Sequence, residues 1–81
     1  MIVDVDAYWE LVGNMPDGTD VTMVNVKSEG VLIGRIYDVD EYYIAEYLDV
    51  RGDVATDNAD DYYSALQLLT QKALARRKTL H

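Results

Sequence analysis

Carboxylate and phenol side chains are concentrated between positions 37 and 53, and together they are suited to bind a positively charged surface. Carboxylates form charge-assisted hydrogen bonds with arginine and lysine, while tyrosine rings stack on guanidinium groups. We therefore predict a partner-binding surface on which the carboxylates stand in for phosphates and Tyr42, Tyr43 or Tyr47 for stacked bases. Its predicted members are Asp38, Asp40, Glu41, Tyr42, Tyr43, Glu46, Tyr47, Asp49 and Asp53.

Side chains that perform catalysis or bind cofactors are scarce in this sequence. The only histidine is the final residue, His81, and neither Ser28 nor Ser64 has a histidine nearby in sequence. No glycine-rich loop precedes a lysine in the pattern that binds nucleotide phosphates. The acidic stretches 38–41 and 57–61 offer oxygen ligands but lack the spacing of a calcium-binding loop. We therefore predict no enzymatic activity, no cofactor and no metal site.

Charge is distributed unevenly along the chain. Residues 1–61 carry fifteen acids and three bases, a formal charge of 3 − 15 = −12, whereas residues 62–81 carry four bases and no acid. The net charge of −8 disfavours direct binding to nucleic acid or to an anionic membrane, because both interactions need lysine and arginine. It favours encounter with a basic protein, such as a nucleic-acid-binding protein or a nuclease. The same acidity also suits a surface that is merely solubilising.

Length and composition predict one domain over residues 1–81. There is no cysteine, so no disulfide is expected. The first residues lack the basic start of a secretion signal, and no apolar run approaches the ~20 residues of a membrane span. We expect a soluble, cytoplasmic protein.

The elements that would position these side chains begin with a short helix. Asp4 or Asp6 is suited to cap a helix over residues 7–12, which Gly13 and Asn14 would end. Strands are predicted at residues 19–27, 31–37 and 42–50, the first of them rich in β-branched side chains. Residues 41–49 also fit a helix capped by Asp40, so a helix is the alternative to the third strand.

The last predicted element is an amphipathic helix over residues 59–79. Asp57, Asp60 and Asp61 lie near its start and Arg76, Arg77 and Lys78 near its end, an arrangement that the helix dipole favours. Packed on one face of a three-stranded antiparallel sheet, this helix completes an α+β fold of order α-β-β-β-α. The dipole alone accounts for much of the basic tail, although a basic surface used by a partner remains an alternative.

A short, acidic α-β-β-β-α chain that is rich in Asp and Tyr and lacks Cys resembles the small anti-defence proteins of phages. It is similar in character to the anti-CRISPR proteins that mimic nucleic acid, and the resemblance depends on size, charge and element order rather than on a motif. That resemblance implies an inhibitor that occupies the basic DNA-binding cleft of a nuclease in the host cytoplasm. The double-stranded-RNA-binding domain shares the element order, but here acids precede the last helix where that family carries basic residues.

Three functional hypotheses follow from these patterns. The leading one is a non-enzymatic binding protein that occupies a basic, nucleic-acid-binding site on a protein partner. The second is a structural protein that forms a homodimer through a sheet edge or the long helix, since residues 1–61 and 62–81 carry opposite charge. The third is a small antitoxin-like regulator, which the sequence does not separate from the first.

Overall fold

Six antiparallel strands are followed by a single helix in the computed structural model, which describes residues 2–79. Within those residues, no helix has both the length and the apolar character that crossing a membrane requires. His81 lies outside the described residues. The elements are β1 (Asp4–Val5), β2 (Glu10–Asn14), β3 (Asp20–Ser28), β4 (Val31–Asp38), β5 (Tyr43–Leu48), β6 (Val54–Ala59) and α1 (Tyr62–Thr79).

All six strands belong to one antiparallel sheet. The order β1-β3-β4-β5-β6 runs across it, and β2 pairs with the same edge of β3 as β1 does. Asp4 is opposite Lys27 near one end of β3, and Asn14 is opposite Asp20 at the other. Residues 4–14 therefore form an interrupted edge strand, and β3 to β6 form a meander joined by short turns.

The predicted N-terminal helix is wrong, because residues 10–14 form the edge strand β2. Six residues are too few for a helix that is stable without tertiary packing. The unpaired edge of β3 offers backbone hydrogen bonds instead, and Val12 and Gly13 both weaken a helix. A bulge between Leu11 and Gly13 adjusts the register of this edge.

The sequence prediction also missed strand β6, since it contains no element between the strand that ends at residue 50 and the helix that begins at residue 59. Side chains in Val54–Ala59 alternate between exposed and half-buried, but Thr56, Asp57 and Asn58 conceal that alternation because they are not apolar. The fold is therefore a six-stranded antiparallel sheet with one C-terminal helix, not a short helix with a three-stranded sheet. The element order behind the phage-protein resemblance is accordingly absent, and only small size and acidity remain of it.

The three predicted strands are confirmed as β3, β4 and β5, and residues 43–48 form a strand rather than a helix. The C-terminal helix is also confirmed, but it begins at Tyr62, since β6 occupies the residues before it. The Asp61 carboxylate caps this helix by accepting a hydrogen bond from the backbone N–H of Ser64 at 2.7 Å. Asp57 lies in β6 and not at the helix start.

The core lies between α1 and one face of the sheet. Helix residues Ala65 and Leu69 are fully buried against the sheet, where Ile36 and Ala45 are equally inaccessible. Gly34 allows this close approach, because a Cβ there would lie 2.5 Å from the carbonyl oxygen of Glu46 and 2.7 Å from Leu69 Cδ1. Among residues 2–79, no helix lies on the opposite face of the sheet.

Helix α1 runs in the same direction as strand β5. Tyr62 at its start packs against Tyr43, the first residue of β5. Near its end, Arg76 Nη1 donates a hydrogen bond to the carbonyl oxygen of Asp49, just after β5, at 3.1 Å. The two ends of the helix therefore lie at the two ends of β5. The molecule extends 43 Å along its longest axis.

Candidate functional site

Three connections meet at the end of the sheet where the helix begins. Strand register places Asp38 opposite both Thr22 and Tyr43, and Tyr43 opposite Ala59. The β2–β3 turn, the β4–β5 turn and the β6–α1 connection therefore share this end. Seven carboxylates gather there, and we call them the acidic end: Asp17, Asp20, Asp38, Asp40, Glu41, Asp60 and Asp61.

Almost the whole net charge of the protein lies at the acidic end. The chain has fifteen acidic and seven basic residues, and none of the bases is in the connections that form this end. The eight remaining acids and the seven bases give 7 − 8 = −1 for the rest of the molecule. The acidic end therefore carries −7 of the net −8.

Four of these carboxylates accept hydrogen bonds from nearby residues, and among them Asp20 Oδ1 accepts one from the side-chain amide of Asn14 at 2.7 Å. Asp38 Oδ1 accepts a hydrogen bond from the backbone N–H of Asp40 at 2.9 Å, and Asp17 Oδ1 accepts one from Thr19 at 2.9 Å. Backbone N–H donors lower the pKa of Asp17 and, at the helix start, the pKa of Asp61. These turns at the acidic end are thus fixed by local structure, and the lowered pKa keeps Asp17 and Asp61 ionised at neutral pH.

The other carboxylates are available to a partner. Asp40, Glu41 and Asp60 are exposed, and none of the three takes part in the ion pairs of residues 2–79. Asp40 and Asp38 also line a small cleft of about 330 Å³. In the described part of the chain, no three Asp, Glu, His or Cys side chains are arranged to hold a metal ion.

Aromatic side chains lie beside the acidic end. Trp9, Tyr43 and Tyr62 form a triad with ring centroids 5.9 to 6.3 Å apart, in tilted and edge-to-face arrangements. It joins the β1–β2 connection to β5 and to the helix start. Trp9 remains 38% exposed and Tyr63, the next helix residue, 68% exposed. A partner that meets the carboxylates would therefore also meet aromatic surface.

The predicted binding residues do not form one surface. Those from the β4–β5 turn lie at the acidic end, whereas Asp49 and Asp53 lie in the β5–β6 turn at the opposite end. Asp49 Oδ1 accepts hydrogen bonds from the backbone N–H groups of Arg51 and Asp53, at 2.9 and 3.0 Å. Its position is explained by this turn. The members at the acidic end are Asp38, Asp40, Glu41, Tyr42 and Tyr43.

Two predicted residues lie within the sheet rather than at an end. Glu46 lies on the face without the helix, where it pairs with Arg35 at 3.2 Å and accepts a hydrogen bond from the Tyr37 hydroxyl at 3.3 Å. Tyr47 lies under the helix, is 7% exposed, and donates a hydrogen bond to Asp57. That bond raises the pKa of Tyr47 to about 12. Tyr47 is therefore a core residue and does not stack on a partner.

Sequence reasoning missed several residues of the site. Asp60 and Asp61 were assigned to the helix dipole alone, and Asp17 and Asp20 were not considered. Alternate turns of an antiparallel meander share one end of the sheet, so these residues become neighbours once β2 and β6 are known. Turn-forming residues such as Pro16 and Gly18 were the sequence feature that could have indicated which carboxylates lie at the ends of strands.

In comparisons with protein-family models, curated proteins and solved structures, none matches this chain. The acidic end and its aromatic neighbours are therefore the basis for a functional proposal.

Proposed function

We propose that this chain is a non-enzymatic binding protein whose acidic end occupies a basic site on a protein partner. The observation that supports the proposal is the concentration of −7 of the net −8 charge at one end of the molecule. A solubilising surface needs only dispersed charge, whereas seven carboxylates brought together from separate connections repel one another. A cationic partner would relieve that repulsion and be steered to this end.

The spacing of charge supports a partner site that normally holds nucleic acid. The molecule measures 24 Å along its second axis, close to the width of five adjacent strands. Each strand of a B-form duplex carries one phosphate per about 3.4 Å of helix axis, which is about seven charges over that length. The acidic end presents a similar number of carboxylates, so its charge is comparable to that of one strand of a duplex.

Exposed aromatic rings beside the acidic end are a second feature that supports contact with a nucleic-acid-binding site. Proteins that hold single strands combine cationic side chains for the backbone with stacking contacts for the bases. Trp9 and Tyr63 are exposed beside the carboxylates, and they can stack on arginine or aromatic side chains of the partner. They take the stacking role that the sequence prediction gave to Tyr42, Tyr43 or Tyr47.

A pair of charge-matched variants tests the proposal. The acidic-end variant Asp40→Asn/Glu41→Gln/Asp60→Asn removes three carboxylates that cap no turn, and its control is Asp4→Asn/Glu10→Gln/Asp53→Asn. Both have a net charge of −8 + 3 = −5.

The probe is an arginine-rich peptide titrated by calorimetry at low and high salt. Exposed ion pairs contribute about 0.2–1 kcal/mol each, so the acidic-end variant should bind about 3- to 150-fold more weakly than the wild type. The control should lose much less affinity, and salt should weaken wild-type binding. Equal losses in the two variants would contradict the proposal, as would binding that salt does not change.

The same variants identify the natural partner by affinity capture and mass spectrometry. A specific partner should be retained by the wild type and the control variant and lost with the acidic-end variant. Competition by single-stranded DNA for the captured protein would support nucleic-acid mimicry.

Self-association is a second candidate, and the free edge of β6 favours it. Among residues 2–79, β6 pairs with β5 alone, which leaves a row of backbone groups open to a second copy. Light scattering over a concentration series should reveal a dimer if this edge is used. A monomer at all concentrations would exclude this candidate.

A further inference from the structure

A second concave surface lies at the end of the molecule opposite the acidic end. It is a half-open cleft of about 630 Å³ between the second half of α1, the β3–β4 hairpin and the ends of β5 and β6. This volume is within the range of about 300–1,000 Å³ that is common for ligand clefts. Its apolar lining comprises Val31, Leu32, Ile33, Leu48, Val54 and Ala73.

The cleft leaves aliphatic side chains in contact with water. Val31 is 65% exposed and Val54 69% exposed, and Leu32 and Leu48 are also exposed. Apolar surface that is grouped in a concave site commonly marks a binding site, whereas scattered apolar side chains do not. The cleft is therefore suited to take up a flexible hydrocarbon chain.

Of the three arginines that line the cleft, Arg35 is paired with Glu46, whereas Arg76 and Arg77 border the apolar lining. The guanidinium of Arg76 is positioned by its hydrogen bond to the Asp49 carbonyl oxygen at 3.1 Å. Arg77 is exposed at the rim. Neither arginine has an acidic side chain within ion-pair distance among residues 2–79. An apolar cleft with two cationic side chains at its border is complementary to an amphiphilic anion.

We propose that this cleft binds a single-chain amphiphile with a carboxylate head, such as a medium-chain fatty acid. The alkyl chain lies on the aliphatic lining, and the head pairs with Arg77 and Arg76. A single negative charge suits the site better than a phosphate, because Glu29 also lines the cleft, whereas the charge of Glu46 is paired with Arg35. A monomeric amphiphile is favoured over an anionic membrane, because the protein has a net charge of −8.

Nuclear magnetic resonance with octanoate, octanol and octyltrimethylammonium tests the proposal, because these probes share one chain and differ in the head group. Octanoate should shift the amide resonances of cleft residues such as Leu32, Leu48 and Ala73, and octanol should do so more weakly. Decanoate should bind about two- to fourfold more tightly for each added methylene. The cationic probe should act at the acidic end instead. The proposal is overturned if octyltrimethylammonium or octanol fills the cleft as well as octanoate does.

Three variants separate head recognition from chain burial. Arg77→Gln should weaken octanoate about five- to tenfold and leave octanol unchanged, whereas Arg51→Gln, outside the cleft, should alter neither. Ala73→Phe should fill the cleft and abolish binding of both probes. Amide spectra verify that each variant is folded. Unchanged octanoate affinity in Arg77→Gln or in Ala73→Phe would overturn the proposal.

This inference goes beyond the proposed function and is independent of it. The acidic-end variant Asp40→Asn/Glu41→Gln/Asp60→Asn should bind octanoate like the wild type, so failure of one proposal leaves the other intact. A second copy of the chain is the competing occupant of the cleft. A concentration-dependent dimer whose interface maps to the cleft, with no displacement by octanoate, would overturn the fatty-acid assignment.

Discussion

Replacing Tyr47 with phenylalanine removes a single hydroxyl from the layer between helix and sheet. This hydroxyl donates its hydrogen bond to Asp57 across adjacent strands β5 and β6. The ring is 7% exposed, so phenylalanine should keep the same position. The substitution therefore isolates the hydrogen bond from the packing of the ring.

The magnitude follows from the pKa of Tyr47, which is raised from 10 to about 12, first by the hydrogen bond to Asp57 and then by burial. Two pKa units correspond to about 3 kcal/mol. Asp57 is half-buried, so water can replace part of the lost bond and reduce that value. We expect Tyr47→Phe to lower the free energy of unfolding by about 1–2 kcal/mol at neutral pH.

The contribution of the Tyr47 hydroxyl to the free energy of unfolding should decrease at high pH. The hydroxyl donates only when protonated, and its pKa is higher in the folded than in the unfolded state. Its contribution is therefore complete below pH 10 and is lost as the pH rises from 10 to about 12. Phenylalanine has no such group, so the difference between wild type and Tyr47→Phe should shrink over that interval.

Urea denaturation monitored by circular dichroism, repeated at several pH values, measures this difference. Tyr63→Phe is the matched control, because Tyr63 is 68% exposed and should change stability by less than about 0.5 kcal/mol. Adding Asp57→Asn to Tyr47→Phe should cost less than the sum of the two single changes. The reasoning is refuted if Tyr47→Phe equals the wild type at neutral pH, or if the difference persists unchanged up to about pH 12.

Two further substitutions test the packing and the helix start. Gly34→Ala should destabilise by about 1–3 kcal/mol in urea denaturation, because its Cβ collides with the Leu69 side chain and with sheet backbone. The control Gly13→Ala has nothing within 4 Å of its added Cβ and should leave stability nearly unchanged. Equal losses of stability in the two variants would show that close packing at Gly34 does not limit stability. Asp61→Ala should lower the melting temperature at neutral pH by removing the helix cap. The backbone N–H of Ser64 lowers the pKa of Asp61. The difference in melting temperature between wild type and Asp61→Ala should therefore exist above about pH 3.9 and vanish as the pH falls further. A difference that persists in strong acid would contradict the capping role.

Local sequence patterns predicted the elements that are buried on one side. The β-branched residues of β3 and the apolar positions of α1 repeat with the periods of a strand and of a helix, and both elements are present. Edge strands β2 and β6 escaped prediction, because they are exposed or polar and are stabilised mainly by backbone pairing with a neighbour. β2 pairs with β3 and β6 pairs with β5, so the information that makes each of them a strand lies in the neighbouring strand and not in its own residues.

Composition alone determined the sign of the charge and the scarcity of catalytic side chains, since these need no knowledge of the fold. Only the tertiary structure decided which carboxylates act together. Asp17 and Asp60 are more than forty residues apart in sequence, yet they share one end of the molecule because strand register and alternate turns bring them there. Asp49 and Asp40 are close in sequence but lie at opposite ends, because β5 separates them. The sequence determines which residues are charged, whereas strand direction determines the surface on which each charged residue lies.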